Sequence, residues 1–188
     1  MRHLKSYFDN HPVIASIRNE RQLKKAINSD VVMIVIMGGS ILDFDKFSAQ
    51  IKANDKLIFI HIDLVKGIAR DKEAIKYLAL NELCDGIIST NGALVKVAMR
   101  EGLMGIQRLF LLDSDAVSTG KKMLLSNKPD AMEVLPGVAT PYFIDHLDKN
   151  QLCPIIAGGL IRTKEEIYDL KSKGVFAVST GKEELWFK

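Results

Sequence analysis

Short apolar runs alternate with amphipathic stretches along the whole chain. Residues 31–37 are apolar throughout, which is typical of a strand that is covered on both faces of a parallel sheet. Residues 20–28 carry Leu23, Ala26 and Ile27 at helical spacing, which predicts a surface helix with one buried stripe. The alternation predicts strands at residues 13–17, 31–37, 57–63, 86–89, 107–112, 131–135, 155–157 and 177–178.

Helices are predicted in the segments that follow the strands. Asp71, Asn91 and Thr163 stand at N-cap positions. The predicted helices cover residues 20–28, 44–52, 71–82, 91–102, 115–125 and 141–147, and a seventh follows Thr163. Only a short helical turn, at 182–187, follows the last strand. Regular alternation of this kind indicates a parallel sheet with helices outside it.

The number of units decides between two parallel architectures. Eight units in 188 residues leave about 24 residues for each, close to the minimum for a strand, a helix and short loops. An open doubly wound sheet would alternate in the same way, but it usually has five or six strands. We therefore predict one domain spanning residues 1–188, an α/β fold of the compact TIM-like (β/α)8 barrel type with a truncated last helix.

Small residues follow each of the last two predicted strands. Gly158 and Gly159 follow the seventh strand, and Ser179, Thr180 and Gly181 follow the eighth. Turns of this kind leave backbone N–H groups bare beside a helix N-terminus, where anions bind readily. In a (β/α)8 barrel, the loops after strands seven and eight frequently hold phosphate. We therefore predict that these five residues form a phosphate cup.

Further candidate ligand-binding residues stand where earlier strands end, because the carboxyl ends of the strands form the site in this fold. They are Ser16, Arg18, Asp63, Lys66 and Glu133. Glu133 interrupts an apolar strand, and a carboxylate inside a barrel must be paired or hydrogen-bonded. It either forms a structural ion pair with Arg18 or Lys66, or it binds ligand hydroxyls. His61 alternates with apolar neighbours and is expected to serve packing or a supporting hydrogen bond.

Composition narrows the class of protein. The net charge of +3 is spread along the chain, which permits an anionic partner without requiring one. Two cysteines among apolar residues favour a reducing compartment, and no segment has the pattern of a signal peptide or membrane span. No metal-ligand spacing and no Ser-His-Asp or Cys-His arrangement is visible. We expect a cytoplasmic protein with no membrane contact, metal, cofactor or catalytic residue.

Several motifs resemble one known family in the same order. They are residues 11–18 (HPVIASIR), 61–67 (HIDLVKG), 85–90 (DGIIST), 133–137 (EVLPG), 156–161 (IAGGLI) and 179–186 (STGKEELW). Together they resemble the glycerol uptake operon antiterminator family over nearly the whole chain. The resemblance implies a regulator of glycerol metabolism that responds to glycerol-3-phosphate and binds the leader of a messenger RNA, where it prevents termination.

The resemblance also implies roles for the candidate residues. The phosphate of glycerol-3-phosphate would lie in the phosphate cup, and its hydroxyls would face Asp63 or Glu133, with Arg18 or Lys66 balancing charge. The implied partners are the ligand and the leader mRNA of a glycerol operon, and a homodimer is left open.

An enzyme is the alternative, since phosphosugar decarboxylases, epimerases and lyases use the same barrel and phosphate cup. Decarboxylases of that type place Asp-x-Lys-x-x-Asp after strand three, whereas two residues separate Asp63 from Lys66 here. A third interpretation is a sensor of phosphate ligands that acts through a protein partner.

Overall fold

Eight parallel strands form the centre of the molecule in the computed structural model, which describes residues 4–8, 11–148 and 153–188. They are β1 (Val13–Ile17), β2 (Met33–Ile36), β3 (Leu57–His61), β4 (Gly86–Ser89), β5 (Met104–Phe110), β6 (Ala131–Leu135), β7 (Ile155–Gly158) and β8 (Ala177–Thr180). Neighbours in sequence pair in parallel, and β8 pairs with β1, so the sheet closes into a barrel. The predicted (β/α)8 architecture is confirmed.

Helices connect successive strands on the outside of the barrel. They are α1 (Glu20–Ile27), α2 (Phe44–Lys52), α3 (Lys72–Leu80), α4 (Gly92–Arg100), α5 (Ser114–Asn127), α6 (Thr140–Asp145) and α7 (Lys164–Ser172). A 3-10 turn at Glu183–Trp186 takes the place of an eighth helix, which confirms the predicted truncation. No helix in the described ranges is long and apolar enough to cross a membrane.

Side-chain caps begin several of the helices. Asp71, Asn91 and Thr163 accept hydrogen bonds from the backbone N–H groups of the first helical turns, which confirms their prediction as N-caps. Asn19 and Asp113 cap α1 and α5 in the same way. Each cap satisfies a donor that the helix leaves unpaired, and each lies directly after the carboxyl end of a strand or its loop. The caps therefore help to set the loops that surround the barrel mouth.

The predicted bounds of the fifth strand, residues 107–112, were wrong. The strand begins at Met104, shortly after a turn at Glu101 and Gly102, and it ends at Phe110. The start of the strand was missed in the sequence because Gly105 interrupts its apolar pattern. Its lack of a side chain has a packing reason: a Cβ there would lie 2.8 Å from Cγ1 of Val95 on α4. β3 also ends earlier than predicted, since residues Ile62–Leu64 form a 3-10 turn.

Apolar side chains fill most of the barrel interior. Phe59, Ile88, Ile106 and Ile156 point inward from four strands and are buried in one cluster with Met33 and Leu57 at the strand starts. Leu4 and Phe8, from the N-terminal segment, belong to the same cluster. Apolar packing therefore occupies the end where the strands begin, and polar inward positions are confined to the end where they finish.

Trp186 anchors the C-terminal turn against the barrel. Its side chain is fully buried, and its Nε1 donates a hydrogen bond to the carbonyl of Thr180, at 2.9 Å. Its own carbonyl accepts a hydrogen bond from the backbone of Asp30. On the surface, Glu183 forms ion pairs with Arg21 and Lys25 of α1. The turn thus holds the end of β8 in place without an eighth helix.

Trp186→Ala should lower the free energy of unfolding by about 3–5 kcal/mol, because it leaves a large cavity and removes a buried hydrogen bond. Urea unfolding followed by circular dichroism measures the change. The matched control is Tyr168→Ala, whose ring is 70% exposed and whose loss should cost about 0.5 kcal/mol or less. Equal destabilisation by the two variants would contradict the anchoring role.

Candidate functional site

A layer of polar side chains lies inside the barrel at the carboxyl ends of the strands. Alternation along each strand places these side chains on the inward face, above the apolar interior. Ser16 and Ser179 are joined by a hydrogen bond between their hydroxyl groups, at 2.8 Å. The other members are His61, Arg108 and Glu133, all buried. We refer to these three residues as the polar cluster.

Arg108 and Glu133 form a buried ion pair. The register of β5 and β6 sets the two residues opposite each other, and Nε of Arg108 lies 3.0 Å from Oε2 of Glu133. The side chains are 8% and 1% exposed. The atoms are close enough for a strong charge interaction but are not aligned as a hydrogen bond, so this nitrogen and both carboxylate oxygens still lack hydrogen-bond partners. The guanidinium also lies over the ring of Phe110, at 5.8 Å from its centre.

The charge state of Glu133 follows from its surroundings. Burial raises the pKa of the carboxyl above its ordinary value, and the charge of Arg108 and the nearby hydroxyl of Ser179 offset only part of that rise. A guanidinium stays charged inside a protein, so the ionised carboxylate is the counterion that the pair stabilises. Gly158 makes room for this arrangement, because a Cβ there would lie 2.8 Å from Oε1 of Glu133. Position 158, at the end of the neighbouring strand β7, must therefore be a glycine.

His61 lies in the same layer as a neutral imidazole. Burial lowers its pKa to about 4, helped by the nearby charges of Arg108 and Arg70 and opposed by Asp63. Its Nδ1 lies 4.0 Å from Oδ2 of Asp63, too far for a hydrogen bond. Neither ring nitrogen has a partner among the described residues. At neutral pH the ring therefore offers one donor and one acceptor to the barrel mouth.

Asp63 ties β3 to the loop after β4. Its oxygens accept hydrogen bonds from the Ser89 hydroxyl at 2.7 Å, the Thr90 backbone at 2.8 Å and the Thr90 hydroxyl at 3.0 Å. Burial raises the pKa of Asp63, but these hydrogen bonds outweigh burial and hold the pKa below its ordinary value. The geometry gives this carboxylate a structural task at the rim of the site.

The structure corrects part of the predicted phosphate cup: Gly158 is the last residue of β7, and Ser179 and Thr180 are the last residues of β8, so only Gly159 and Gly181 follow the strands. Gly159 has a φ of 76° and Leu160 a φ of 59°, so the chain turns sharply away from the end of β7. The carbonyl of Gly159 accepts a hydrogen bond from Gly137, and no described residue accepts one from the N–H of Gly181. Lys182 donates to the carbonyl of Arg162 at 2.7 Å and so joins the two loops. One backbone donor without an acceptor among the described residues, the N–H of Gly181, therefore lies near the polar cluster, since Ser179 is two residues before it.

The structure brings some predicted site residues together and leaves others outside. Ser16, Glu133, Gly158 and Ser179 meet in the inward layer. Thr180 uses its hydroxyl to accept a hydrogen bond from the backbone of Lys182. Arg18 and Lys66 are exposed at the rim, and the ion pair that the sequence predicted for Glu133 with one of them was wrong. Ligand contact by any of these residues stays a prediction.

Sequence reasoning missed Arg108 as a partner and undervalued His61. The signal for Arg108 was available in the alternation of β5, where Ile106, Arg108 and Phe110 share one face. A strand start at Gln107 instead of Met104 obscured that alternation.

Within the described residues, no group of three or more histidine, cysteine, aspartate or glutamate side chains is placed to hold a metal ion.

Comparison with known proteins identifies the family. A family model described as glycerol-3-phosphate responsive antiterminator matches residues 13–186. The chain belongs to the glycerol-3-phosphate responsive antiterminator family. It is 34% identical to the Escherichia coli (strain K12) protein YgcP over 176 residues, which are 94% of this chain and 92% of that protein.

Solved structures agree with membership of the antiterminator family. The glycerol uptake operon antiterminator regulatory protein from Listeria monocytogenes is 31% identical, with a TM-score of 0.86 over 95% of this chain and 96% of the other. A related protein from Thermotoga maritima is 27% identical, with a TM-score of 0.82 over 93% of this chain and 96% of the other. Orotidine 5'-phosphate decarboxylase from Pyrococcus horikoshii, at 16% identity and a TM-score of 0.62, covers 89% of this chain and 88% of its own and shares the fold alone.

Asp63→Asn should lower the free energy of unfolding by about 1–3 kcal/mol at pH 7, because an amide cannot accept all the hydrogen bonds that the carboxylate accepts. The lowered pKa means that the carboxylate stabilises the folded state above about pH 4 and loses this contribution as the pH falls further. The difference between wild type and variant should therefore narrow in acid. Urea unfolding between pH 3 and pH 7 measures it.

Asp43→Asn is the matched control for the Asp63 prediction. Asp43 is exposed and its side chain makes no capping hydrogen bond. Its substitution should change stability by about 0.5 kcal/mol or less. A difference for Asp63→Asn that stays constant down to pH 3 would contradict the assigned role.

Proposed function

We propose that this protein is a cytoplasmic regulator that binds glycerol-3-phosphate and, in its liganded form, the leader mRNA of a glycerol-metabolism operon. Membership of the antiterminator family supports the regulatory class. The observation that carries the ligand assignment is the backbone N–H of Gly181, which has no acceptor among the described residues and lies next to a buried polar cluster. A small phosphate ester with a hydroxyl-bearing tail matches both parts.

The phosphate supplies most of the expected affinity. Backbone N–H groups aimed at one point stabilise an anion, and each charge-assisted hydrogen bond contributes about 1.5–3 kcal/mol. Glycerol lacks the anion and should bind far more weakly. The ligand is small, so its affinity should lie between about micromolar and low millimolar.

RNA binding would follow from ordering of the loops that form the phosphate cup. Lys182 already joins the loop after β8 to the loop after β7 through the carbonyl of Arg162. A bound phosphate would hold both loops from the inside as well. Arg162, Lys164 and Lys182 would then present positive charge to the RNA backbone from one protomer or from a homodimer, and the complex should weaken with salt.

Catalysis is the competing proposal for the same site. A buried carboxyl with a raised pKa beside a neutral histidine is an arrangement that acid–base enzymes also use. The family supports the regulator, since it is described by a response to glycerol-3-phosphate. Phosphorus NMR of the protein incubated with glycerol-3-phosphate separates the two proposals, because an enzyme would yield a product and a regulator would return the ligand unchanged.

Gly181→Asp should abolish glycerol-3-phosphate binding, because its carboxylate would repel the phosphate at close range. The backbone tolerates the change: Gly181 does not have a positive φ, and a Cβ there would meet only the carbonyl of Ser16, at an ordinary 3.5 Å. Isothermal titration calorimetry on folded protein measures the loss. Gly181→Asn, of the same size but uncharged, is the matched control and should retain much more of the affinity.

Equal affinity of the aspartate and asparagine variants for glycerol-3-phosphate would contradict the placement of its phosphate in the cup. If wild type bound glycerol and glycerol-3-phosphate equally well, the assignment of glycerol-3-phosphate as the ligand would be wrong. Trp186 donates to the carbonyl of Thr180, directly before Gly181, so its fluorescence provides a second record of binding.

Glycerol-3-phosphate should tighten RNA binding, and RNA should tighten ligand binding by the same factor, because coupling between two sites is reciprocal. A coupling of about 1–3 kcal/mol corresponds to about 5–150-fold. The measurement is a titration of the leader RNA of a glycerol operon at fixed salt, with and without ligand. RNA affinity that does not change with ligand would reject the coupling, and absence of RNA binding would favour the enzyme.

A further inference from the structure

The polar cluster is balanced in charge. Arg108 carries one positive charge, Glu133 one negative charge, and His61 is neutral because burial and neighbouring cations lower its pKa to about 4. The three side chains are almost completely withdrawn from water, at 8%, 1% and 3% exposure. A charged group that entered this space would therefore meet no net opposite charge and little water to solvate it.

The unpaired atoms of the polar cluster define what can bind there. Both oxygens of Glu133 accept hydrogen bonds only, Nε of Arg108 donates only, and the neutral ring of His61 does one of each. A hydroxyl group both donates and accepts, so it can pair with any of the three. A carboxylate only accepts, so it would leave the oxygens of Glu133 unpaired and place a second negative charge beside them.

The cluster and the phosphate cup are neighbours at the ends of β7 and β8. Gly158 contacts the Glu133 carboxylate and is followed by Gly159 of the cup. The hydroxyl of Ser179 lies near Glu133, and Gly181 of the cup is two residues further on. A three-carbon phosphate ester can therefore hold its phosphate in the cup and its tail at the cluster.

We propose that His61, Arg108 and Glu133 form a tail-selecting subsite, which accepts the uncharged, hydroxyl-bearing tail of a small phosphate ester and excludes a tail that ends in a carboxylate. The inference rests on the proposed function, since the cup must hold the phosphate. In this proposal, the ion pair inside the barrel distinguishes between ligands of equal length. Glu133 rejects the carboxylate, and Arg108 keeps Glu133 ionised.

A structural ion pair alone does not account for the same observations. A pair that serves only stability gains from satisfying its hydrogen-bonding atoms within the protein, because each unsatisfied buried group is costly. Here five polar atoms of three side chains have no hydrogen-bond partner among the described residues, and all of them belong to the inward layer at the end where the strands finish. Hydroxyl groups of a ligand would satisfy them.

The test compares glycerol-3-phosphate with 3-phosphoglycerate, which has the same length and a carboxylate in place of the terminal hydroxymethyl group. Calorimetry gives the Kd of each, and the ratio of the second Kd to the first is the discrimination ratio. Wild type should show a ratio of about tenfold or more, because like charges in a desolvated site repel strongly. Inorganic phosphate, titrated separately, reports the cup alone.

Glu133→Gln should reverse the preference. The substitution keeps the shape and leaves Arg108 as an uncompensated cation, so the ratio should fall below one. Glu73→Gln is the control for the change in net charge, since Glu73 lies on the outer helix α3 with its side chain 64% exposed. Its ratio should equal that of wild type.

The double variant Arg108→Gln with Glu133→Gln keeps the test decisive if the single variant does not fold, because it leaves no buried charge unpaired. Its ratio should be about one, and a ratio still near tenfold would overturn the inference. A wild type that binds both esters equally overturns the subsite while the proposed function stands. A wild type that binds neither ester overturns both.

Discussion

A guanidinium and a carboxylate, those of Arg108 and Glu133, lie 3.0 Å apart inside the mouth of the barrel. Removing two charges from water costs several kcal/mol for each ion, and the attraction between them offsets that cost only while both remain. Neighbouring positions are constrained accordingly. Gly158 must lack a side chain because the Glu133 carboxylate occupies that space, and the register between β5 and β6 must set Arg108 opposite Glu133.

The barrel keeps its rigid and its responsive parts at opposite ends. Apolar packing, with Leu4 and Phe8 included, fills the end where the strands begin. At the other end, hydrogen bonds from short loops hold the rim: Asp63 fastens the loop after β4, and Lys182 joins the last two loops. Such loops have fewer buried contacts than the strands, so a ligand that binds between them can change their order without disturbing the core. This division suits a protein that reports the presence of a small molecule.

A regulator and an enzyme can share this architecture because function depends on the site and not on the fold. The inward layer of this chain has a cation, an anion and a neutral imidazole. Side chains of these three kinds can bind a ligand or catalyse a reaction. What favours binding is the glycerol-3-phosphate responsive antiterminator family to which the chain belongs. The buried ion pair also extends toward solvent, because Arg108 lies between the Glu133 carboxylate and the half-exposed ring of Phe110.

The sequence by itself determined the barrel, the truncated last helix, the caps at Asp71, Asn91 and Thr163, and the turns at Gly159 and Gly181. These features depend on local patterns: apolar period, cap chemistry and the conformations that glycine allows. Only the tertiary structure decided the partner of Glu133, the neutrality of His61 and the structural task of Asp63. Arg108 and Glu133 are 25 residues apart, and their contact depends on the register between two strands, which neither strand encodes alone. Burial of His61 likewise results from closure of all eight strands, and that closure lowers its pKa.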